Sequence, residues 1–345
     1  MRTLRLNADD PACLKQAVEI LRHGGLVAFP TETVYGLGAN ALDAVAVQKI
    51  FTAKDRPSWD PLIVHIASPQ MLHTVAASLP RIFDSLARKF MPGPLTLLLP
   101  RALRIPDLVT SGRDKIAVRM PRHDVALELI RQCGFPLAAP SANRFGHTSP
   151  TAANHVLEDL DGRIDAVLDG GECEVGVEST VLDVTAVPPL ILRQGGITRE
   201  QLEELLGHVD VFRPKDQSAE KIHPSNMVAS QSAPGMSERH YAPQAIVLLV
   251  EGNREKLSQV LKSMKGKVGL LAPTMWPAQM GISGRFVSFD WGPWNDWHML
   301  AHRLYNGLRW LDNQKVDVII APLPPEEGLG AALRDRLMKA AKPQE

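Results

Sequence analysis

Along the first 210 residues, apolar positions switch between helical stripes and short continuous runs. Pro11 follows Asp10, and Leu14, Val18 and Leu21 recur at helical spacing before Gly24. A capping carboxylate, a proline in the first turn and a glycine past the end predict a helix there. Leu26 to Phe29 is a short apolar run halted by Pro30, the pattern of a buried strand, and it feeds the polar, glycine-bearing segment PTETVYGLG. A second helix is expected with Ala44, Val47, Ile50 and Phe51 on one face, leading into KDRPSWDPLIVH, where Leu62 to Ile66 reads as a strand. Further strands are expected at Leu95–Leu99, Ile116–Met120, Pro136–Ala139, Ala166–Leu168, Thr180–Val184 and Leu190–Arg193. Thr198 with Gln201 makes a capping box ahead of Leu202, Leu205 and Leu206, and Gly207 ends that helix. Runs this continuous suggest a sheet buried on both faces.

From about Val211 to Pro243 the apolar period vanishes and Pro, Ser, Lys, Gln and Asn take over, which marks a linker. Beyond it, AIVLLVEG, VGLLAP, RFVSFDWG and VDVIIAPLP read as four strands. Helical patterns around Arg254–Met264, Trp297–Leu311 and Leu329–Ala340 lie between or after them. That alternation predicts a small doubly wound α/β unit. The expected organisation is therefore α/β throughout: a first unit over 1–210, a linker over 211–243 and a second unit over 244–345.

Length and composition sharpen this. At 345 residues with 45% hydrophobic positions, the chain suits two cores rather than one. It has no apolar run of the ~20 residues a membrane span needs, and MRTLRLNADD lacks a signal-peptide core. Cys13, Cys133 and Cys173 stand far apart without a CxxC pair, which fits a cytoplasmic protein without disulfides. Lys plus Arg and Asp plus Glu both number 38, so the overall balance predicts no broad face for duplex nucleic acid. GxxxxGK[ST], HExxH and GxSxG are absent, the second unit has no GxGxxG after its first strand, and the eleven histidines show no metal-ligand spacing.

Candidate chemistry gathers in the first unit at strand ends: Thr31–Gly38, Lys54–His65, Lys115–Arg122, Pro140–Asn143 with Ser149, and the pair Ser179 and Arg193. Ligands of open α/β sheets bind outside strand ends, so these loops are expected to converge. Lys54 and Arg56, stopped by Pro57, offer a point charge and a planar fork suited to polyphosphate. Ser141 and Asn143 offer donors and acceptors to a nucleotide. Taken singly, each has a plainer reading: a helix-end cation, an Asx turn, a strand-end ion pair for Arg119, a core histidine for His65.

In order, PTETVYGLG, KDRPSWDPLIVH, KIAVRMPRH, PLAAPSAN, VEST and ILRQGGIT resemble the YrdC-like family of threonylcarbamoyl-AMP synthases. APGMSERHYAP at Ala233–Pro243 resembles the linker of the family's long form, which precedes an extra C-terminal domain. The resemblance implies a twisted mixed sheet around a positively charged cavity, with a smaller Rossmann-like α/β domain after it. It implies a reaction of L-threonine, bicarbonate or CO₂ and ATP that releases pyrophosphate, with Mg²⁺ accompanying ATP, and a product used by tRNA threonylcarbamoyl-transfer machinery. The family's KxR and SxN signature matches Lys54, Arg56, Ser141 and Asn143. By the same resemblance Thr33, His65, Arg119, Ala139 and Ser179 line the threonine site, and Arg56, Asp60, Lys115, Ser141, Ser149 and Arg193 face ATP. Tyr241, beside Arg239 and His240, reaches the nucleotide from the linker. Asp60 and Lys115 depart from the usual Asn and Thr; a carboxylate near triphosphate is expected to need Lys115 or Mg²⁺ to compensate it, and the two residues are also expected to pair with each other.

The implied chemistry needs no covalent enzyme intermediate. A threonine carbamate attacks the α-phosphorus, so the protein aligns two anions, neutralises them and excludes water. Lys54, Arg56 and Arg119 carry that role, and the linker from Ser232 to Pro243 is expected to act as a lid. Two readings compete: an RNA-binding module without synthase activity, and a carbamoyl-transfer protein of hydrogenase maturation, for which the chain lacks both length and cysteines.

Overall fold

A computed structural model describes residues 2–213, 240–282 and 284–342. Two compact units emerge. The first takes residues up to 213 except Gly146–Ser149 and Glu174–Val177, which group with the chain from 240 onward.

In the first unit the strands are β1 (Leu4–Asn7), β2 (Val27–Phe29), β3 (Gly36–Asn40), β4 (Ile63–His65), β5 (Leu95–Pro100) and β6 (Lys115–Arg119). They continue with β7 (Leu137–Ala138), β8 (Ala166–Asp169), β9 (Thr180–Asp183), β10 (Leu190–Arg193) and β11 (Asp210–Val211). They form one mixed sheet in the order β1-β8-β2-β3-β7-β4-β6-β5-β9-β10-β11. Each of the eight runs expected in this unit is a strand. β3 lies in the glycine-bearing segment read as a loop, and its glycines have a packing reason: a Cβ on Gly38 would stand 2.8 Å from the Phe29 ring. β1 and β11 were also unanticipated; β1 buries only Leu6, and β11 has two residues.

The helix Pro11–Arg22 forms as its signals dictate: the Asp10 side chain accepts from the Ala12 N–H, and Gly24 takes φ 71° past its end. Ala44, expected inside on the helix Ala44–Lys54, is exposed; Ala46 is buried instead, with Val47, Ile50 and Phe51.

The two faces of the sheet are dressed differently. On one, Ala28, Leu37, Val64, Leu97, Val118 and Leu182 pack with Val47, Ile50 and Leu86 into the main core. On the other, Val27, Phe29, Leu137 and Leu168 pack under Leu14, Val18 and Leu21 and under Leu129 and Ile130 of the helix Asp124–Cys133. Each such buried side chain is worth about 1.5–3 kcal/mol over exposure. Along β4, β6, β5 and β9 this second face carries a cluster of its own, Ile63, Ala117, Leu98 and Val181. Strand alternation places Lys115 and Arg119 on that face with Ala117, while Ile116 and Val118 turn to the main core.

The second unit holds a parallel sheet, β12 (Ile246–Glu251), β13 (Val268–Pro273), β14 (Val287–Gly292) and β15 (Val318–Leu323), in the order β12-β15-β13-β14. The helices Arg254–Ser263, Trp297–Asn313 and Gly328–Ala340 complete the Rossmann-like alternation that the sequence pattern predicts.

Candidate active site

The helix Ala44–Lys54 starts under Asp43, whose carboxylate accepts from the Val45 and Ala46 N–H groups, and stops at Asp55 in the left-handed region, φ 53°. Lys54 is therefore its last residue, and the side chain turns inward. Its Nζ donates to the Ser141 carbonyl at 2.6 Å and to the Asn143 carbonyl, while the Phe145 N–H donates to the Lys54 carbonyl at 2.8 Å. Lysine and PSAN turn are thus one substructure. Burial, with Arg56 nearby, lowers the Lys54 pKa well below its ordinary value.

Arg56 folds back on its own loop. Nε donates to the Asp60 carbonyl at 3.2 Å, Nη2 donates to the Pro61 carbonyl at 2.9 Å, and Nη2 lies 2.9 Å from Asp60 Oδ2. The expected pairing of Asp60 with Lys115 does not occur. The turn in which the Asp60 N–H donates to the Pro57 carbonyl brings Asp60 onto Arg56, whereas Lys115 Nζ reaches past β5 to Asp183 at 2.8 Å. Burial pushes the Asp60 pKa up against the opposing pull of Arg56 and Lys54. For Asp183, burial raises the pKa, but hydrogen bonds from Lys115 and Thr185 outweigh it and hold the carboxyl below the usual range.

At the opposite end of the same face, His65 of β4 lies level with Arg119 of β6, and Thr96 of β5 flanks Arg119 on its other side. Arg119 Nε donates to the Gly93 carbonyl at 3.3 Å, and Nη2 sits 2.7 Å from Glu32 Oε2. The Thr96 and Ser179 hydroxyls are 2.7 Å apart. Arg193 donates to the Ser179 carbonyl through Nε at 3.1 Å and Nη2 at 3.0 Å, and to its hydroxyl at 3.2 Å. Thr33 and Thr31 hydroxyls bond each other at 2.9 Å beside Glu32. The Ala139 N–H donates to the Ile63 carbonyl at 2.8 Å, and Gly36 bridges Ser141. Burial first, and then Arg119, lower the His65 pKa to about 3, so the ring is neutral at physiological pH.

Lys54, Arg56, Asp60, Ser141 and Asn143 thus share one part of the first unit, while Thr33, His65, Arg119, Ser179 and Arg193 share the other. Asp60 feels the charge of Arg193, which links the two parts. Ser149 and Tyr241 fall in the second unit. There His147 bridges Ala242, Thr148 Oγ1 donates to the Tyr241 carbonyl at 3.3 Å, and Arg309 donates to the Thr148 carbonyl. The Tyr241 ring stacks on Tyr305 with centroids 5.8 Å apart and lies 5.0 Å from the Arg336 guanidinium carbon. Arg239 and most of the expected lid lie outside the described residues. Among the described residues, no group of three or more His, Cys, Asp or Glu could hold a metal ion, and no helix is long and apolar enough to cross a membrane.

Several contributors escaped the sequence reading. Glu32 lies inside a quoted motif, but its role shows only through Arg119. Thr96 is the one polar residue of the run LTLLL, a signal that was available. Gly195 lets the chain after β10 press onto the segment holding Ser179: a Cβ there would stand 2.2 Å from the Glu178 carbonyl oxygen.

Comparison with known proteins identifies the family. A family model described as "Telomere recombination" matches residues 19–195, and one described as "Threonylcarbamoyl-AMP synthase, C-terminal domain" matches 197–342. Threonylcarbamoyl-AMP synthase of Pyrococcus abyssi is 44% identical over 95% of this chain and 94% of its own length. The Bacillus subtilis protein of the same name is 43% identical over 98% and 95%. A crystal structure of P. abyssi Sua5 complexed with L-threonine superposes with a TM-score of 0.87 at 42% identity, covering 99% of this chain and 98% of that one. With both units matched in order and near full-length identity above 40%, this chain belongs to the threonylcarbamoyl-AMP synthase family.

Proposed function

We propose that the chain condenses L-threonine, bicarbonate or CO₂, and ATP into L-threonylcarbamoyl-AMP and pyrophosphate on the face of β4, β6, β5 and β9, for modification of adenosine in tRNA. One observation carries this reading: Lys115, Ala117 and Arg119 alternate along β6, so an apolar floor runs between two ends that each hold a cation, Lys115 beside Asp183 and Arg119 beside Glu32. The four steps along the strand from Lys115 to Arg119 span about 13 Å, room for an amino acid laid end-on against the inner phosphate of a nucleotide.

The division of labour follows from the contacts. Arg119, held by the Gly93 carbonyl, presents a guanidinium to the threonine carboxylate. Neutral His65 and the Thr33 and Ser179 hydroxyls can accept or donate to the substrate hydroxyl without adding charge. Arg56, Arg193 and Lys115 face the triphosphate, and Lys54 keeps Ser141 and Asn143 in place for the nucleotide. Mg²⁺ bound to ATP would neutralise part of the triphosphate charge, and the cationic side chains counter the charge that remains. The carbamate then attacks the α-phosphorus and pyrophosphate departs, its developing charge met by fixed cations that need no reorganisation. The product passes to threonylcarbamoyl-transfer machinery, and the cytoplasm is the compartment.

Incubation with ATP, Mg²⁺, bicarbonate and threonine tests the reading. Threonine-dependent pyrophosphate and the mass of the mixed anhydride are expected, and both should collapse in Lys54→Ala and Arg119→Ala. Threonine-independent pyrophosphate release by the wild type would refute it.

A further inference from the structure

Glu32 and Arg119 are both buried, at 1% and 4% exposure, and their charged atoms approach to 2.7 Å. The approach is a charge contact without hydrogen-bond geometry. Among the described residues, neither carboxylate oxygen of Glu32 nor Nη2 of Arg119 makes a hydrogen bond. Removing a carboxylate from water and leaving both oxygens bare is costly, and an ion pair serving only the fold would align as a fork to satisfy them.

No hydrogen bond from the surroundings relieves the cost: His123 feels the charge of Glu32, but its buried Nδ1 makes no hydrogen bond among the described residues. Thr31 Oγ1 donates to the Val34 carbonyl at 2.8 Å and accepts from the Thr33 and Val34 N–H groups at 3.2 and 3.3 Å, so the turn around Glu32 spends its polar groups on itself. Arg119 in turn is fixed through Nε to the Gly93 carbonyl. The result is a buried carboxylate on an ordered turn and a guanidinium anchored through Nε, side by side, each with bonding capacity left over. A ligand that satisfies both must bring a donor and an acceptor on neighbouring atoms. The α-ammonium and α-carboxylate of an amino acid hang from one carbon and have that spacing.

We propose that Glu32 receives the α-ammonium group of the amino-acid substrate while Arg119 takes its carboxylate, so that the buried pair recognises the zwitterion as a unit. This rests on the synthase reading above and adds a binding residue to it. Electrostatics favours the match: a net-neutral ligand meets a net-neutral pair, and no uncompensated charge is buried. A carboxylic acid without the amine would sit against Glu32 with no donor for it and be repelled, so Glu32 selects amino acids over hydroxy acids.

The test is titration calorimetry on the full chain with L-threonine and with (R)-3-hydroxybutanoate, which keeps the carboxylate and hydroxyl but lacks the amine. Wild type should bind threonine about 10- to 100-fold more tightly, the scale of one charged hydrogen bond. Glu32→Gln should weaken threonine by a similar factor, bind (R)-3-hydroxybutanoate as tightly or more tightly, and leave ATP affinity unchanged. Equal wild-type affinity for the two ligands overturns the proposal and needs no variant, which covers a Glu32→Gln protein that fails to fold. Equal losses for both ligands would show a merely structural glutamate and also overturn it, as would unchanged threonine affinity. If threonine affinity depends on Glu32 but no pyrophosphate is released, the synthase reading fails alone; if pyrophosphate is released and threonine affinity ignores Glu32, this inference fails alone.

Discussion

Replacing His65 with glutamine removes a ring whose charged form the fold excludes. Burial and the neighbouring Arg119 take the His65 pKa from 6.5 to about 3. Between those values the unfolded chain binds a proton that the folded chain does not. The contribution of His65 to stability is therefore complete above the unfolded pKa, and it is lost as pH falls through 6.5 towards 3. At pH 5 the loss from this group is about 2 kcal/mol relative to pH 7.5, and each further pH unit costs about 1.4 kcal/mol more until the folded pKa is approached. All three cysteines lie in the first unit, and Cys133 and Cys173 are buried, so thiol labelling reports its unfolding separately from that of the second unit. Samples equilibrated in urea at pH 7.5, 6.5 and 5.0 would receive a brief methanethiosulfonate pulse at a common pH. Wild type should lose about 2 kcal/mol more than His65→Gln between pH 7.5 and 5.0. Parallel losses in the two proteins, or an NMR titration placing the His65 ring near pH 6.5, would refute the reasoning.

Lys54→Met keeps the length of the side chain but strips the donor from two buried carbonyls, which should destabilise the first unit by about 2–5 kcal/mol in the same labelling assay. A loss under about 1 kcal/mol would show that the PSAN turn does not depend on Lys54. Asp60→Asn removes the carboxylate that offsets Arg56, so ATP should bind about three- to tenfold more tightly, with the gain shrinking in high salt; weaker binding would mean that the pair organises the loop rather than tuning its charge. Gly195→Ala forces a Cβ into the Glu178 carbonyl and displaces Ser179 from Thr96, so KM for threonine should rise well beyond KM for ATP, and equal effects on both would contradict the placement of Ser179.

Elements whose sequence carries both a period and punctuation were legible. The helix Pro11–Arg22 has its capping Asp10, its Pro11 and its Gly24, and the Thr198 box forms in both directions, with Thr198 accepting from the Gln201 N–H and Gln201 from the Thr198 N–H. β3 was not legible, because Gly36 and Gly38 read as loop until the Phe29 ring, which leaves no room for a side chain at Gly38, is placed across from them. Partner choice among charged residues was equally hidden. Asp60 and Lys115 are 55 positions apart and of opposite sign, yet each pairs elsewhere because pairing follows the Pro57 turn and the crossing of β5, neither of which charge order encodes.

β6 shows why the candidate site was half visible. In KIAVR, Ile116 and Val118 fall on the main core while Lys115, Ala117 and Arg119 face the other way. The alternation alone marks a strand with one polar face, which in most proteins is the face turned to water. Here both Ala117 and Arg119 are buried, so a cation stands where water cannot screen it, and only the register with Thr96 and His65 reveals that. A buried guanidinium is costly unless something answers it. Within the fold the answer is Glu32, 87 residues earlier, in contact but without hydrogen bonds. That incomplete pairing is the strongest physical reason for the proposal that an amino acid binds at this end of the sheet face, where a substrate carrying both charges would complete what the fold leaves unfinished.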